Sequence, residues 1–571
     1  MRAYPTRQIL DLAGMWEFAF LGDVAKPPST EAVQFNEVMA VPGCFDATVR
    51  YAGKRGIGAY RKVVDLAAGG RYRLWIDGGH HVVRLFVGGV EQGRHDGGFT
   101  QFGFDLTVER GGPTDIVLYV DNRINYDECP IHLDYFDWHH FGGITRGCVL
   151  QELPDVRIEN TRFVTTNHET REVAVTADVV LADADALFTV SIGGEEFHRQ
   201  TVSAAETASG AAGRDASSAA GGTAIRVEAT FTCPNLDLWS PGSPNLHELS
   251  VCIGEDCVTE QIGIRTVGVS GQDVLINGKA VRLFGFNRHE SSADSGHTLS
   301  DSQLVTDLQL LEQMNVNFVR GSHYPQDERF IDLCDQRGIM VWCEATGWQH
   351  TEDHLQDRRF LDAQRINIEE MIQALGNHPS IIMWGLLNES HGHVRSARAG
   401  FAELVGAIRD EDDSRPVTYA TCHVYEDKCL DLFDIVSFNT YPGWYVGGVQ
   451  EMPQELDAIL AHLDGSGYAE KPVILSEIGA GGIYGFRDWH RGLWSEEYQA
   501  ELIQAVLDYF SNVDRLAGLA LWQFCDIRAS EVTARALRRP KGFNNKGIVD
   551  EHRRPKLAFH IVRQFGKGFR S

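Results

Sequence analysis

The run Ile381-Ile382-Met383-Trp384-Gly385-Leu386-Leu387 closes on Asn388-Glu389-Ser390, and Pro472-Val473-Ile474-Leu475 closes on Ser476-Glu477-Ile478-Gly479. Both are short apolar segments that end on polar residues, a pattern suited to parallel strands covered on both faces. In a β/α barrel the C-terminal ends of the strands surround one mouth, and the chemistry sits there. Two carboxylates delivered to one mouth suit acid/base and nucleophilic work on a glycosidic bond. Either glutamate alone reads more readily as a solvated strand end or half of an ion pair. The surrounding sequence shifts that balance.

Working outward, strands alternate with helices from about residue 269. Eight strand candidates follow one another: 281–286, 316–321, 338–344, 381–387, 416–421, 434–439, 472–476 and 517–524. Amphipathic helical runs lie between most of them, for example Ser302 to Met314, Asp327 to Gln336 and Ser495 to Ser511. Eight such units in about 300 residues is the size of a (β/α)8 TIM barrel. On this register Glu389 follows the fourth strand and Glu477 the seventh.

Residues 1–155 instead show short aromatic-rich strands separated by Gly, Pro and Asp, such as Met15-Trp16-Glu17-Phe18-Ala19-Phe20. That is the texture of a β-sandwich of jelly-roll type. Residues 156–268 repeat it with fewer aromatics, as an immunoglobulin-like β-sandwich does. Within them, Ser203 to Thr223 is almost wholly Ala, Gly, Ser and Thr with a few charges, and reads as a loop between two strands. The expected architecture is therefore a jelly roll (1–155), an immunoglobulin-like sandwich (156–268) and a catalytic barrel (269–571).

The 571 residues suit about three domains. A formal charge of −27 argues against nucleic acid or an anionic membrane as partner. It also means that an anionic substrate needs a local cationic site. No apolar run is long enough to span a bilayer, and no apolar stretch follows the first charged residues as in a secretion signal. The eleven cysteines are scattered and lack CxxC pairs. No disulfide framework or zinc knuckle is indicated, and a reducing cytoplasm fits. Neither His289-Glu290 nor His139-His140 has the spacing of a metal site, so no metal or cofactor is expected.

The order of the three parts, with several motifs, resembles glycoside hydrolase family 2 over essentially the whole chain. The motifs are Leu238-Trp239-Ser240-Pro241-Gly242, Phe284-Gly285-Phe286-Asn287-Arg288-His289-Glu290, Val319-Arg320-Gly321-Ser322-His323-Tyr324-Pro325, Leu387-Asn388-Glu389 and Ser476-Glu477-Ile478-Gly479. The resemblance implies retaining hydrolysis with Glu389 as general acid/base and Glu477 as nucleophile. It implies that Asn388 binds the sugar 2-hydroxyl, that His323 contacts a hydroxyl, and that Asp137 reaches the barrel from the first domain. Trp522 is a candidate platform under the sugar ring, or barrel packing. His289 and Glu290 are candidate supports behind these contacts. It also implies a homo-oligomer acting on a small-molecule or oligosaccharide β-glycoside.

Asn544-Asn545-Lys546-Gly547 keeps the Asn-x-Lys spacing with which β-glucuronidases of this family grip the C6 carboxylate. A cation and an amide two residues apart can serve both carboxylate oxygens. The segment around Tyr441, Trp444 and Tyr445 also resembles glucuronidases, and so does Leu493-Trp494-Ser495-Glu496. Pro442 and Ile478 stand where glucuronidases usually carry tyrosines, which brings a β-galacturonide into consideration beside a β-glucuronide. Arg538 and Arg539 are further candidates for the carboxylate. A β-galactosidase would keep both glutamates but not need the clamp. A non-catalytic carbohydrate-binding protein would lack a carboxylate, and a Schiff-base barrel would need a strand-end lysine.

Overall fold

Eight wholly parallel strands close into a barrel in the order of the chain. They are Leu283–Arg288, Phe318–Gly321, Met340–Glu344, Ile381–Asn388, Val417–Thr421, Val436–Asn439, Val473–Ile478 and Gly518–Leu521. The last pairs with the first. All eight expected strands are present, and the barrel residues of every one are buried. This computed structural model describes residues 2–133, 135–182, 184–204, 224–530 and 538–569.

Local signals set the helix ends. Ser300, Asp327 and Ser495 each accept a hydrogen bond from a backbone N–H of the first turn of the helices Asp301–Gln313, Glu328–Arg337 and Glu496–Asn512. Such caps satisfy donors that have no partner inside the helix. Gly338, at φ +69°, stops the second of these helices and turns the chain into the third strand. At Gly285 a Cβ would lie 1.6 Å from the Phe318 carbonyl oxygen, so only glycine lets the first two strands approach.

Contacts divide the chain into two units. One holds Met1–Arg123, Gly142–Thr266 and Glu370–Pro379; the other holds Ile124–Phe141, Val267–Glu369 and Ser380–Ser571. In the first unit a four-stranded and an eight-stranded sheet precede a three-stranded and a four-stranded sheet. Trp16, Phe18, Phe45 and Tyr60 pack in the core of the first pair of sheets, with the Phe18 and Tyr60 rings edge to face at 5.0 Å. Buried Arg7 pairs with Asp256 at 2.7 Å. The segment 124–141, which carries Asp137, groups with the barrel.

One expectation is overturned here. Cys252 and Cys257 form a disulfide across the hairpin His247–Ile253 and Asp256–Ile262, where the antiparallel register sets them opposite each other. Their five-residue spacing matches no motif, so only the strand pairing brings the sulfurs together. The other nine cysteines form no disulfide, and all but Cys422 are buried. The Ser203–Thr223 stretch does join two strands, Glu195–Val202 and Ala224–Thr232, but residues 205–223 lie outside the described residues. No helix among the described residues is long and apolar enough to cross a membrane.

Candidate active site

The fourth and seventh strands deliver Glu389 and Glu477 to the same end of the barrel. Glu477 is 3% exposed. Its Oε1 accepts from Arg320 Nη1 at 2.8 Å, and its Oε2 accepts from the Tyr441 hydroxyl at 2.6 Å. Burial pushes its carboxyl up to about 8; Arg320 pulls against this, and the charge of Glu389 adds to it. Glu389 itself lies just past its strand at φ +48°, a left-handed backbone that costs a non-glycine residue of order 1–3 kcal/mol. Its backbone N–H donates to the Ala420 carbonyl at 2.8 Å, which holds that turn. The carboxyl accepts from Asn439 Nδ2 on Oε1 and from Gln349 Nε2 on Oε2, both at 3.0 Å.

Asn388, fully buried, connects the two glutamates. Its Oδ1 accepts from Arg320 Nη2 at 2.9 Å and from Asn439 Nδ2 at 3.0 Å. Its Nδ2 has no hydrogen-bond partner among the described residues and can donate. Arg320 also donates to Asn287 Oδ1 at 3.0 Å and holds Glu344 with two further bonds. Asn287, Arg320, Glu344 and Asn439 all stand at strand ends and escaped the sequence reading as site residues. Their signal was available: a polar or charged residue closing an apolar barrel strand faces the mouth.

His323 bonds Glu344 at 3.0 Å, and its Nε2 is 3.9 Å from Glu477 Oε1. Burial and the charge of Arg320 hold its imidazole well below the usual range, so the ring is neutral. Trp522 stacks on it with centroids 5.2 Å apart and planes 14° apart. His289 completes this group at 5.3 Å from His323 and bonds the Tyr324 hydroxyl at 3.1 Å. Glu290 lies outside it and caps the backbone at Asp327.

A second cluster forms around Lys546. Its ammonium donates to the Tyr445 hydroxyl at 2.9 Å and lies 4.9 to 5.5 Å from the ring centres of Tyr445, Trp444 and Tyr441. Lys546 is 2% exposed and has no carboxylate within salt-bridge distance among the described residues. Burial lowers its pKa, with Tyr445 opposing and Arg539 adding to the shift. Although burial works the other way, Lys546 and Arg539 hold the Tyr445 phenol below its ordinary value.

Asn544 donates to Asp137 Oδ2 at 3.0 Å, and Arg539 grips the same carboxylate with two nitrogens. Tyr135 donates to its Oδ1 at 3.0 Å. Arg539 is thus the member of the arginine pair that enters the cluster; Arg538 is exposed. The expected site residues fall into two linked groups, one around the glutamates and one around Lys546, with Tyr441 touching both.

Known proteins match the chain in sequence and in fold. The family model "Glycosyl hydrolases family 2, TIM barrel domain" matches residues 267–570, and "Glycosyl hydrolases family 2" matches residues 156–265. A β-glucuronidase of Paenibacillus borealis is 27% identical over 98% of this chain and 96% of its own length. A β-galacturonidase of Eisenbergiella tayi, solved with galacturonate bound, is 30% identical, with a TM-score of 0.90 over 100% of this chain and 98% of that one. A β-glucuronidase of Faecalibacterium prausnitzii superimposes with a TM-score of 0.86 at 26% identity, over 99% of this chain and 98% of that one.

Proposed function

The chain belongs to glycosyl hydrolases family 2 and is a glycoside hydrolase, and we propose that it is a retaining exo-β-glycosidase acting on β-D-hexuronides. One observation carries the sugar assignment: Lys546 is a buried ammonium with no carboxylate within salt-bridge distance among the described residues. Burying an unpaired charge is costly, and the cost is offset when an anion arrives. A uronide carboxylate supplies that anion, with Asn544 and Arg539 beside it as further donors. A galactoside would leave the ammonium uncompensated, so a β-galactosidase is the weaker reading. Solved relatives named as a β-galacturonidase and a β-glucuronidase support the same class.

In the double displacement, Glu389 gives its proton to the leaving oxygen while Glu477 attacks C1. Glu389 then takes a proton from water as the ester is hydrolysed. Arg320, which bonds Glu477, and Asn439, which bonds Glu389, both donate to Asn388 Oδ1, and this shared partner supports the close pairing that retention needs. Asn388, through its Nδ2, is placed to donate to the sugar 2-hydroxyl. Glu389→Gln is expected to spare the first step for substrates with good leaving groups and to depress poor ones. Equal loss across a leaving-group series would remove the acid role.

The direct test is a comparison of initial rates on chromogenic β-D-glucuronide, β-D-galacturonide and β-D-galactoside. A uronide is expected to dominate. A dominant galactoside would overturn the assignment. Which uronide wins reads out the pocket near O4, where buried Pro442 and Ile478 offer no hydroxyl.

We extend the same reading to the division at 1–155, 156–268 and 269–571 and to a homo-oligomer. A cytoplasmic location is supported by the nine cysteines that form no disulfide and opposed by the Cys252–Cys257 bond, since oxidising compartments favour disulfides.

A further inference from the structure

We propose that Glu344 is a positioning residue of the hydrolytic reaction: it is a second carboxylate partner of Arg320, which lets Glu477 lose its charge when it bonds the sugar. This inference rests on Glu477 being the nucleophile.

The geometry is a single guanidinium shared by two buried carboxylates. Arg320 gives Nε to Glu344 Oε2 at 2.9 Å and Nη2 to Glu344 Oε1 at 3.0 Å. It gives Nη1 to Glu477 Oε1 at 2.8 Å. Its remaining bonds, to Asn287, to Asn388 and to His323 Nδ1 at 3.3 Å, fix the plane of the fork, and the guanidinium lies 4.7 Å above the Trp342 ring. Arg320 and Glu344 are both fully buried. A two-point grip of this kind orients a guanidinium as a point charge cannot.

The charges that face Glu344 are few. From the second strand and the turn after it come Arg320 and His323, the latter bonding Glu344 Oε1 at 3.0 Å. Behind His323 stands His289, held neutral by burial. From the fourth strand come Asn388 and then Glu389, and from the seventh comes Glu477, bonded to Tyr441 of the sixth-strand loop. With both histidines neutral, Arg320 is the cation between Glu344 and Glu477. Burial raises Glu344 to about 7 and Glu477 to about 8, Arg320 opposing in both cases.

The first chemical step changes this balance. A lone pair of the Glu477 carboxylate forms the bond to C1, the C1–oxygen bond to the leaving group breaks, and that electron pair takes the proton from Glu389. Glu477 is then a neutral ester. Without Glu344, Arg320 would be a bare cation in a dry site, and stranding a buried charge is strongly unfavourable. With Glu344 ionised the guanidinium keeps a carboxylate on two of its nitrogens when Glu477 becomes neutral. Glu344 also offsets the attraction of Arg320 for Glu477, so the nucleophile stays basic.

The test begins with the wild-type enzyme and a 2-deoxy-2-fluoro β-hexuronosyl fluoride of whichever uronide is turned over. The rate of inactivation is followed against pH, and the labelled peptide is identified by mass spectrometry. Because Glu477 must be ionised to attack, the rate is expected to rise with pH along a limb well above the ordinary carboxylate range. A label on another residue would fail the nucleophile assignment. A label on Glu477 with a limb near pH 4 would overturn the role of Glu344 alone.

Glu344→Gln is expected to move the limb down by at least about one pH unit, because Arg320 then acts on Glu477 unopposed. It should also lower kcat/KM by roughly 100-fold, while hydrolysis of the preformed ester is spared. Glu344→Asp should restore the limb. An unshifted limb in a folded Glu344→Gln enzyme, or equal loss in both steps, would mean a merely structural residue. If Glu344→Gln does not fold, the wild-type limb and the Glu344→Asp limb decide.

Discussion

Replacing Glu477 with alanine is expected to abolish turnover, and azide to restore it with an inverted product. The loss should be on the order of 10⁵-fold, the scale of deleting a nucleophile that acts as part of a unit. Two donors, Arg320 and Tyr441, converge on this carboxylate, and no other carboxylate among the described residues has that pair. Glu344 also bonds Arg320, but lies on the guanidinium's far side and lacks the tyrosine. Truncation to alanine leaves a space of carboxylate size beside C1. A small anion entering it attacks the same face as Glu477 would, while Glu389 still protonates the leaving oxygen. One displacement in place of two inverts the anomeric centre. The check is NMR of the product formed with and without azide. Retained-configuration turnover in the variant would sink the assignment.

Lys546→Ala is expected to cost uronides roughly 2–4 kcal/mol in transition-state binding, about 30- to 900-fold in kcat/KM. The estimate follows from burial: a charged hydrogen bond removed from a site that excludes water loses far more than one at the surface. Lys546 is itself 2% exposed and stands among Tyr441, Trp444 and Tyr445, with its ammonium directed at the Tyr445 hydroxyl. Arg539 and Asn544 survive in the variant, and they limit the loss, although both are engaged with Asp137. The discriminating measurement is the ratio of kcat/KM for a β-D-uronide to that for the matching neutral β-glycoside. The ratio should collapse while the neutral substrate is little affected. Unchanged uronide activity would remove the clamp.

By itself the sequence determined the barrel, its register and the two glutamates. Those signals are local: apolar runs of strand length, caps such as Ser300 and Ser495, and a glutamate closing the fourth and seventh runs. A strand end in a closed parallel barrel has one place to go, so counting strands was enough to set Glu389 and Glu477 at one mouth. The Asn-x-Lys spacing likewise marked Asn544 and Lys546. Tertiary structure alone decided the partners. That Arg320 divides itself between Glu344 and Glu477, that Gln349 and Asn439 hold Glu389, and that Arg539 rather than Arg538 grips Asp137 all depend on contacts between residues 24 to 402 positions apart. The same holds for Cys252 and Cys257, joined by strand register at a spacing that carries no motif. Hydrophobic period and chain punctuation act over a few residues and fix where a side chain stands. Which charge it meets is set by burial and by the convergence of distant strands, and no local pattern encodes that.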